Sequence, residues 1–227
     1  MRIDILTLFP KMFESVLGES ILKRAQGKGA INIKIHDLRD WTFDNHRSAD
    51  DKPFGGGPGM VMKVEPVSLA LKDIAPARPK GAKVILLTPQ GKRLDQELVK
   101  CISKEKELIL ICGHYEGIDE RIRLLADEEI SIGDYILTCG EIPAMVLIDS
   151  VTRLIPGVLG SKDSVTQESF ENGLLEYPQY TRPADFEGMR VPDILLSGDH
   201  KKIEEWRGKE ALKRTGKRRP DLLKKKG

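Results

Sequence analysis

The sequence predicts an α/β protein: a mostly parallel sheet with helices on both faces, followed by a small helical C-terminal domain. Three observations predict it. Through about residue 154, short apolar strand-like runs alternate with helical stretches, the rhythm of a parallel sheet whose crossovers cover both faces. From Ser161 to Glu168 the pattern becomes polar and aperiodic, which reads as a linker. Beyond it the charge changes sign, because residues 201–227 sum to +8 while residues 1–200 sum to −6. The expected organisation is a domain over residues 1–160, a linker over 161–175 and a small basic helical domain over 176–227.

Taken in order, residues 3–9 read as a strand, and residues 12–25 as an amphipathic helix stopped by Gly27 and Gly29. Residues 31–38 alternate apolar with polar and return to strand, completing a βαβ opening. Residues 41–59 are polar and then glycine-rich, a loop of a length that compact domains reserve for function. A helix is expected at 64–74. After it come strand 83–88, helix 94–103, strand 108–112, helix 118–126, strand 136–138 and helix 144–154. Ligands of such sheets bind beyond the carboxyl ends of the strands. Three loops are expected there: Thr88 to Gly91, Gly113 to Gly117, and Ser131 to Pro143.

Composition narrows the function classes. A basic end suits a polyanionic partner, since each neutralised phosphate releases counterions. A membrane surface fits less well, because the tail lacks the apolar face and aromatic anchors of interfacial helices. Cys101, Cys112 and Cys139 have neither zinc-finger spacing nor the even count of a disulfide framework, which fits a reducing cytoplasm. The N-terminal residues begin an alternating apolar pattern rather than a signal sequence, and no run approaches membrane-spanning length, so a soluble, unexported, cytoplasmic protein is expected.

Common nucleotide and hydrolase motifs are absent. Gly55-Gly56-Gly57-Pro58-Gly59 is not followed by Gly-Lys-Ser/Thr, and it lacks both the third glycine and the preceding strand of a dinucleotide fingerprint. His36, His46, His114 and His200 have no metal-ligand spacing, and no serine sits in a Gly-x-Ser-x-Gly elbow. Residue patterning therefore reaches an α/β enzyme or binding domain with three loops at one sheet edge and a basic appendage.

Longer motifs carry a more specific signal. Gly113-His114-Tyr115-Glu116-Gly117-Ile118-Asp119-Glu120-Arg121, Ser131-Ile132-Gly133-Asp134-Tyr135-Ile136-Leu137 and Gly140-Glu141-Ile142-Pro143-Ala144-Met145 closely resemble the bacterial tRNA (guanine-N1)-methyltransferase family. The likeness extends to Gly55 through Met60, Arg153 through Gly160, Gly173-Leu174-Leu175, Tyr180-Thr181-Arg182-Pro183 and Leu195 through His200. The resemblance implies a C-terminal trefoil knot in the α/β domain, a topology that general connection rules would have excluded. It also implies methyl transfer from S-adenosyl-L-methionine to N1 of the guanine 3′ of the anticodon (guanine-37), with the tRNA anticodon arm as partner. Each active site would be shared between the two subunits of a homodimer.

By the same resemblance the methyl donor is expected against Leu87, Thr88 and Pro89, against Gly113, Tyr115, Glu116 and Gly117, and against Ile132, Gly133, Asp134, Tyr135, Ile136 and Leu137, with Gly140 and Pro143 closing the pocket. Glycine suits such a site because it has no side chain to hold a ligand off the backbone. Tyr115 would cover the adenine or sugar and Glu116 would face the donor's cationic groups, whereas His114 reads as a local hydrogen-bonding residue. Guanine N1 carries a proton, so methylation there needs a base and a donor to charge growing on O6. The family's base is a linker aspartate, and the matching residue here is Glu168, a departure that adds one methylene. Arg153 matches the arginine that would stabilise O6. Cys139 is a second departure, at a position where the family commonly has glycine. Asp185 and the basic residues from Arg182 onward would grip the anticodon arm, and the Gly55–Gly59 loop would close over a flipped-out guanine.

Two other readings stay open at this point. One is a catalytically weak or inactive knotted RNA-binding module, which donor binding without turnover would support. The other is a knotted enzyme acting on ribose or another base, which would have no need of the linker carboxylate. A Mg²⁺ requirement is not legible in the chain.

Overall fold

The opening apolar run folds as β1, Arg2–Thr7, whose last five residues are buried. The computed structural model describes residues 1–76, 82–160 and 168–224. These fall into two compact units, Met1–Leu159 and Gly160–Gly227. The expected helix over 12–25 is broken into a 3₁₀ turn, Pro10–Phe13, then α1, Glu14–Leu17, and α2, Ser20–Gly27. The break has a local cause. Gly18 caps α1, and Ser20 enters the left-handed region at φ 50°, which a continuous helix forbids. The next strand, β2, Asn32–Asp37, pairs in parallel with β1.

Within the expected long loop a two-residue strand, β3, Asp50–Asp51, pairs with β4, Val61–Met62. Helix α3, Val64–Ile74, follows as predicted. Strand β5, Ala82–Arg93, runs past the expected boundary, but residues 88–91 leave the ladder: both Leu87 and Lys92 register with Ile130. Then come α4, Gln96–Ile102, β6, Glu107–Cys112, and the short β7, Gly117–Ile118, which pairs with β4. Two expectations are corrected next. Residues 120–125 form a 3₁₀ turn capped by Asp119 rather than an α-helix, and residues 136–138 are not a strand. The strand is instead β8, Glu128–Ser131, after which α5, Glu141–Thr152, begins three residues before the expected start, with Pro143 tolerated in its first turn.

The main sheet runs β2-β1-β6-β5-β8, and every pairing in it is parallel. Alternate residues feed two cores. Ile3, Ile5, Ile85, Leu87, Leu108 and Leu110 pack with residues of α2, α4 and α5. Leu6, Val84, Leu86, Ile109 and Ile111 pack on the opposite face with Val67, Ala70 and Leu71 of α3 and with Ile122. Helices therefore cover both faces. Because the strands are parallel, all their carboxyl ends lie at one edge, where Thr7, Leu87, Cys112 and Ser131 converge.

In the second unit the described residues 168–184 are turns and irregular chain, a small hairpin pairs Asp185–Phe186 with Met189–Arg190, and helices follow from Asp193 onward. Its main element is the helix His200–Arg218, capped by the Asp199 carboxylate accepting from the Lys202 amide at 3.2 Å. Thr215 in that helix accepts from the amide of Leu175 at 2.8 Å, and Arg207 lies over the Tyr177 ring at 4.7 Å. Among the described residues no helix is long and apolar enough to cross a membrane.

Candidate functional site

A cavity of about 580 Å³ opens beyond the carboxyl ends of β5, β6 and β8, within the size range of small-molecule sites. Its walls come from three stretches: residues 87–90 where β5 leaves its ladder, residues 113–118 after β6, and residues 130–140 after β8. Fourteen of the fifteen residues expected at the donor line it. The fifteenth, Asp134, is exposed and lies off the lining.

The loops approach at backbone distance. The Gly140 amide donates to the Gly113 carbonyl at 2.7 Å. A Cβ on Gly140 would stand 2.6 Å from the Gly113 nitrogen and 2.8 Å from Cys112 Cα, so no larger residue fits between them. At the mouth, a Cβ on Gly59 would collide with the Glu116 side chain, and Gly59 itself has φ +74°. The Glu116 amide also donates to the Met60 carbonyl at 3.1 Å, so the glycine-rich loop is fastened to the edge of the cavity. After β8 the Ser131 hydroxyl donates to the Gly133 carbonyl at 3.0 Å and accepts from the Gly133 amide at 3.2 Å, shaping the third wall.

Tyr115 is held at φ 65°, a backbone conformation that tyrosine rarely adopts, next to a stack of Phe9 and His114 rings 4.5 Å apart. Burial first, then a hydrogen bond to the Asp50 carboxylate, pushes the Tyr115 phenol above its usual value, so it stays a neutral donor. Glu116 and Glu120 bring carboxylates to the lining, and Arg123, which pairs with Glu120 at 2.9 Å and with Glu129, brings a cation. Tyr135 and Ile136 line the cavity while more than half exposed, and the Tyr135 hydroxyl donates to the Ile132 carbonyl at 3.3 Å.

Cys139, the departure from the family's glycine expected to tighten the pocket, lines it, whereas Val61, Gln90, His114, Ile118, Glu120, Arg123, Ile130, Ser131 and Thr138 line it without having been expected at the donor. Glu120 and Arg123 stand three apart just after the Gly113–Gly117 loop, a spacing that puts both on one side of a turn. His114 lies inside an expected loop but reads from sequence only as a local hydrogen-bonding residue. Arg153 caps the end of α5 in the first unit and is not part of the lining. Glu168 belongs to the second unit, where it is half-buried and its carbonyl accepts from the Glu171 amide at 3.3 Å. The next residue, Ser169, accepts at its hydroxyl from the Glu176 amide at 3.0 Å. Of the expected linker, residues 161–167 lie outside the described residues.

Residues 1–225 match the model of the family described as tRNA (Guanine-1)-methyltransferase TrmD. A tRNA (guanine-N(1)-)-methyltransferase of Geobacillus kaustophilus is 61% identical over 98% of this chain and 91% of its own length. Proteins of the same name from Dictyoglomus turgidum and Moorella thermoacetica are 57% and 55% identical, over 99% and 98% of this chain and 91% and 90% of theirs.

Proposed function

Since the chain belongs to the tRNA (Guanine-1)-methyltransferase family, whose relatives are named as enzymes acting at guanine N1 of tRNA, we propose that it methylates the guanine 3′ of the anticodon, with S-adenosyl-L-methionine bound in the cavity beyond β5, β6 and β8. The observation that carries this reading is the cavity itself, lined by fourteen of the fifteen residues expected to hold the donor, from the stretches after β5, β6 and β8. Its chemistry fits such a donor: close-approaching glycines, a tyrosine beside the aromatic stack, and carboxylates suited to a cationic ligand. When bound, the donor supplies an electrophilic methyl group.

The protein's own residues handle the proton and the charge. Glu168 takes the N1 proton of guanine, so that the nitrogen lone pair is free to bond to the methyl carbon. Arg153 stabilises negative charge on O6 as N1 is deprotonated. Tyr115 and Glu116 orient the donor, and the Gly55–Gly59 loop, already fastened at Glu116, covers the guanine. In this reading the α/β domain carries the family's trefoil knot in its C-terminal part, where the start of α5 at Gly140 comes within backbone distance of Cys112 and Gly113.

A homodimer with shared active sites accounts for an apolar patch on the first unit. Ile142 and Val146 lie four apart on α5, Met12 and Val16 lie on the neighbouring N-terminal turns, and each is more than a third exposed. In this reading residues 161–175 link the donor domain to residues 176–227, whose exposed lysines and arginines hold the anticodon arm in the cytoplasm. The enzyme reading stands over the inactive binding module because the chain matches its family along nearly its whole length.

The test supplies labelled S-adenosyl-L-methionine and unmodified tRNA carrying guanine 3′ of the anticodon, with an adenine-substituted tRNA as control, and maps the product by nucleoside mass spectrometry. The reading expects 1-methylguanosine at that position only. Methylation of ribose, or of a different base, would overturn it, and donor binding without turnover would favour the binding module.

A further inference from the structure

Beside the proposed donor site lies a group of side chains that methyl transfer does not use. His114 follows β6, and Cys139 and Glu141 flank Gly140 at the start of α5. The hydrogen bond from the Gly140 amide to the Gly113 carbonyl holds the two segments together at 2.7 Å. The ligand atoms of His114, Cys139 and Glu141 all fall within 4.8 Å of one another.

Two of these atoms are anomalous. Glu141 is fully buried, yet its Oε2 has no hydrogen-bond partner, and the same holds for the buried Nδ1 of His114. They stand 3.9 Å apart, too far for a hydrogen bond between them. Buried polar atoms are almost always paired, so two orphans this close to one another require a physical account. The other carboxylate oxygen is anchored: Thr7, buried at the end of β1, donates its hydroxyl to Glu141 Oε1 at 2.6 Å. The Phe9 ring against His114, with centroids 4.5 Å apart, fixes the imidazole in the same way.

We infer that His114 Nδ1, Cys139 Sγ and Glu141 Oε2 form a three-ligand site for one thiophilic divalent cation of the zinc class, in the wall of the cavity beyond β6. Bonds of roughly 2.0 to 2.3 Å place tetrahedral ligand atoms about 3.3 to 3.5 Å apart, so closing the observed spread takes movements on the order of 1 Å. A thiolate, an imidazole and a carboxylate suit zinc, cobalt or nickel, whereas magnesium prefers an all-oxygen shell. Thr7 is the outer partner that orients the carboxylate, as metal sites ordinarily require. Binding displaces the Cys139 thiol proton to solvent and leaves the imidazole proton on Nε2. The fourth position opens toward the cavity, which His114 and Cys139 both line. Cys112, fully buried at the end of β6, is not one of the group.

The test does not depend on catalysis or on donor binding. Chelator-treated protein is titrated with Co²⁺ and followed by its thiolate charge-transfer absorption in the near ultraviolet and its tetrahedral visible bands. The inference expects one Co²⁺ per chain, displaced by one equivalent of Zn²⁺. Both signals vanish in Cys139→Ser and Cys139→Ala and persist in Cys101→Ser, and Thr7→Val binds about 10- to 100-fold more weakly. Thermal unfolding without metal confirms that each variant is folded. A wild type with no saturable thiolate band, or a band that survives in both folded Cys139 variants, would overturn the site.

Discussion

Replacing Gly140 with alanine adds a single carbon, and the structure leaves no space for it. The backbone of Gly140 is ordinary, with φ −83°, so alanine is conformationally acceptable there and space alone decides the outcome. The added Cβ meets the Gly113 nitrogen at 2.6 Å, Cys112 Cα at 2.8 Å and the Cys112 carbonyl carbon at 3.0 Å. All three are main-chain atoms at the end of β6, a central strand, and cannot swing aside as a side chain would. The loop after β6 and the start of α5 must therefore part, lengthening the Gly140–Gly113 hydrogen bond. Overpacking of this kind costs about 1 to 3 kcal/mol, which in a chain of this size lowers the midpoint of thermal unfolding by roughly 2 to 12 °C. The same parting widens the cavity, so donor affinity should fall about tenfold or more, equivalent to about 1.4 kcal/mol. Gly27 is the control: it ends α2, away from the cavity, and a Cβ there meets nothing within 4 Å, so Gly27→Ala should stay within about 0.5 kcal/mol of wild type. Calorimetric unfolding and donor titration of the two variants decide the matter. Equal damage from both, or none from Gly140→Ala, would refute the claim that backbone approach shapes the site.

Two further outcomes follow from charge. Asp4 is fully buried, and although burial raises its pKa, hydrogen bonds from His36 and Arg2 outweigh that and hold its carboxyl below the ordinary value of 3.8. A depressed folded pKa contributes stability that is complete above the unfolded value and is lost as pH falls through the folded one. Asp4→Asn should therefore be less stable at neutral pH by roughly 1.5 to 3 kcal/mol and show a shallower loss of stability below about pH 4, measured by urea unfolding across that range. On the second unit, Lys209, Lys217 and Arg218 are exposed on one long helix. Replacing all three with alanine should weaken tRNA binding and reduce the slope of log affinity against log salt by about 0.7 to 0.9 for each phosphate that is no longer neutralised. An unchanged slope would remove this helix from the RNA surface.

Much of the sheet was legible because its strands are apolar on both faces. Residues 84–87 and 108–112 are continuous buried runs, as parallel strands between two helical layers must be. β8 escaped notice because Glu128, Glu129 and Ser131 give it only one apolar residue, which suffices at a sheet edge but carries no signal of its own. Ile136 misled in the opposite direction. It is apolar but 80% exposed, and a strand is inferred from apolarity on the assumption that it will be buried. The helix over 12–25 failed at Ser20, whose positive φ no periodicity reveals. The cavity loops were legible as the segments beyond the strand ends, and long motifs rather than any single glycine assigned the donor to them. The inward turn of Glu141 and its partnership with Thr7, 134 positions away, depend on packing that no local pattern encodes.

The central claim is that the cavity holds the donor while Glu168 removes the guanine proton, and one measurement separates the two roles: donor affinity and single-turnover methyl transfer of Glu168→Gln at saturating tRNA. The account predicts an unchanged donor affinity with a rate reduced on the order of 10²- to 10⁴-fold, the contribution of a positioned general base. An unchanged rate of 1-methylguanosine formation would contradict it.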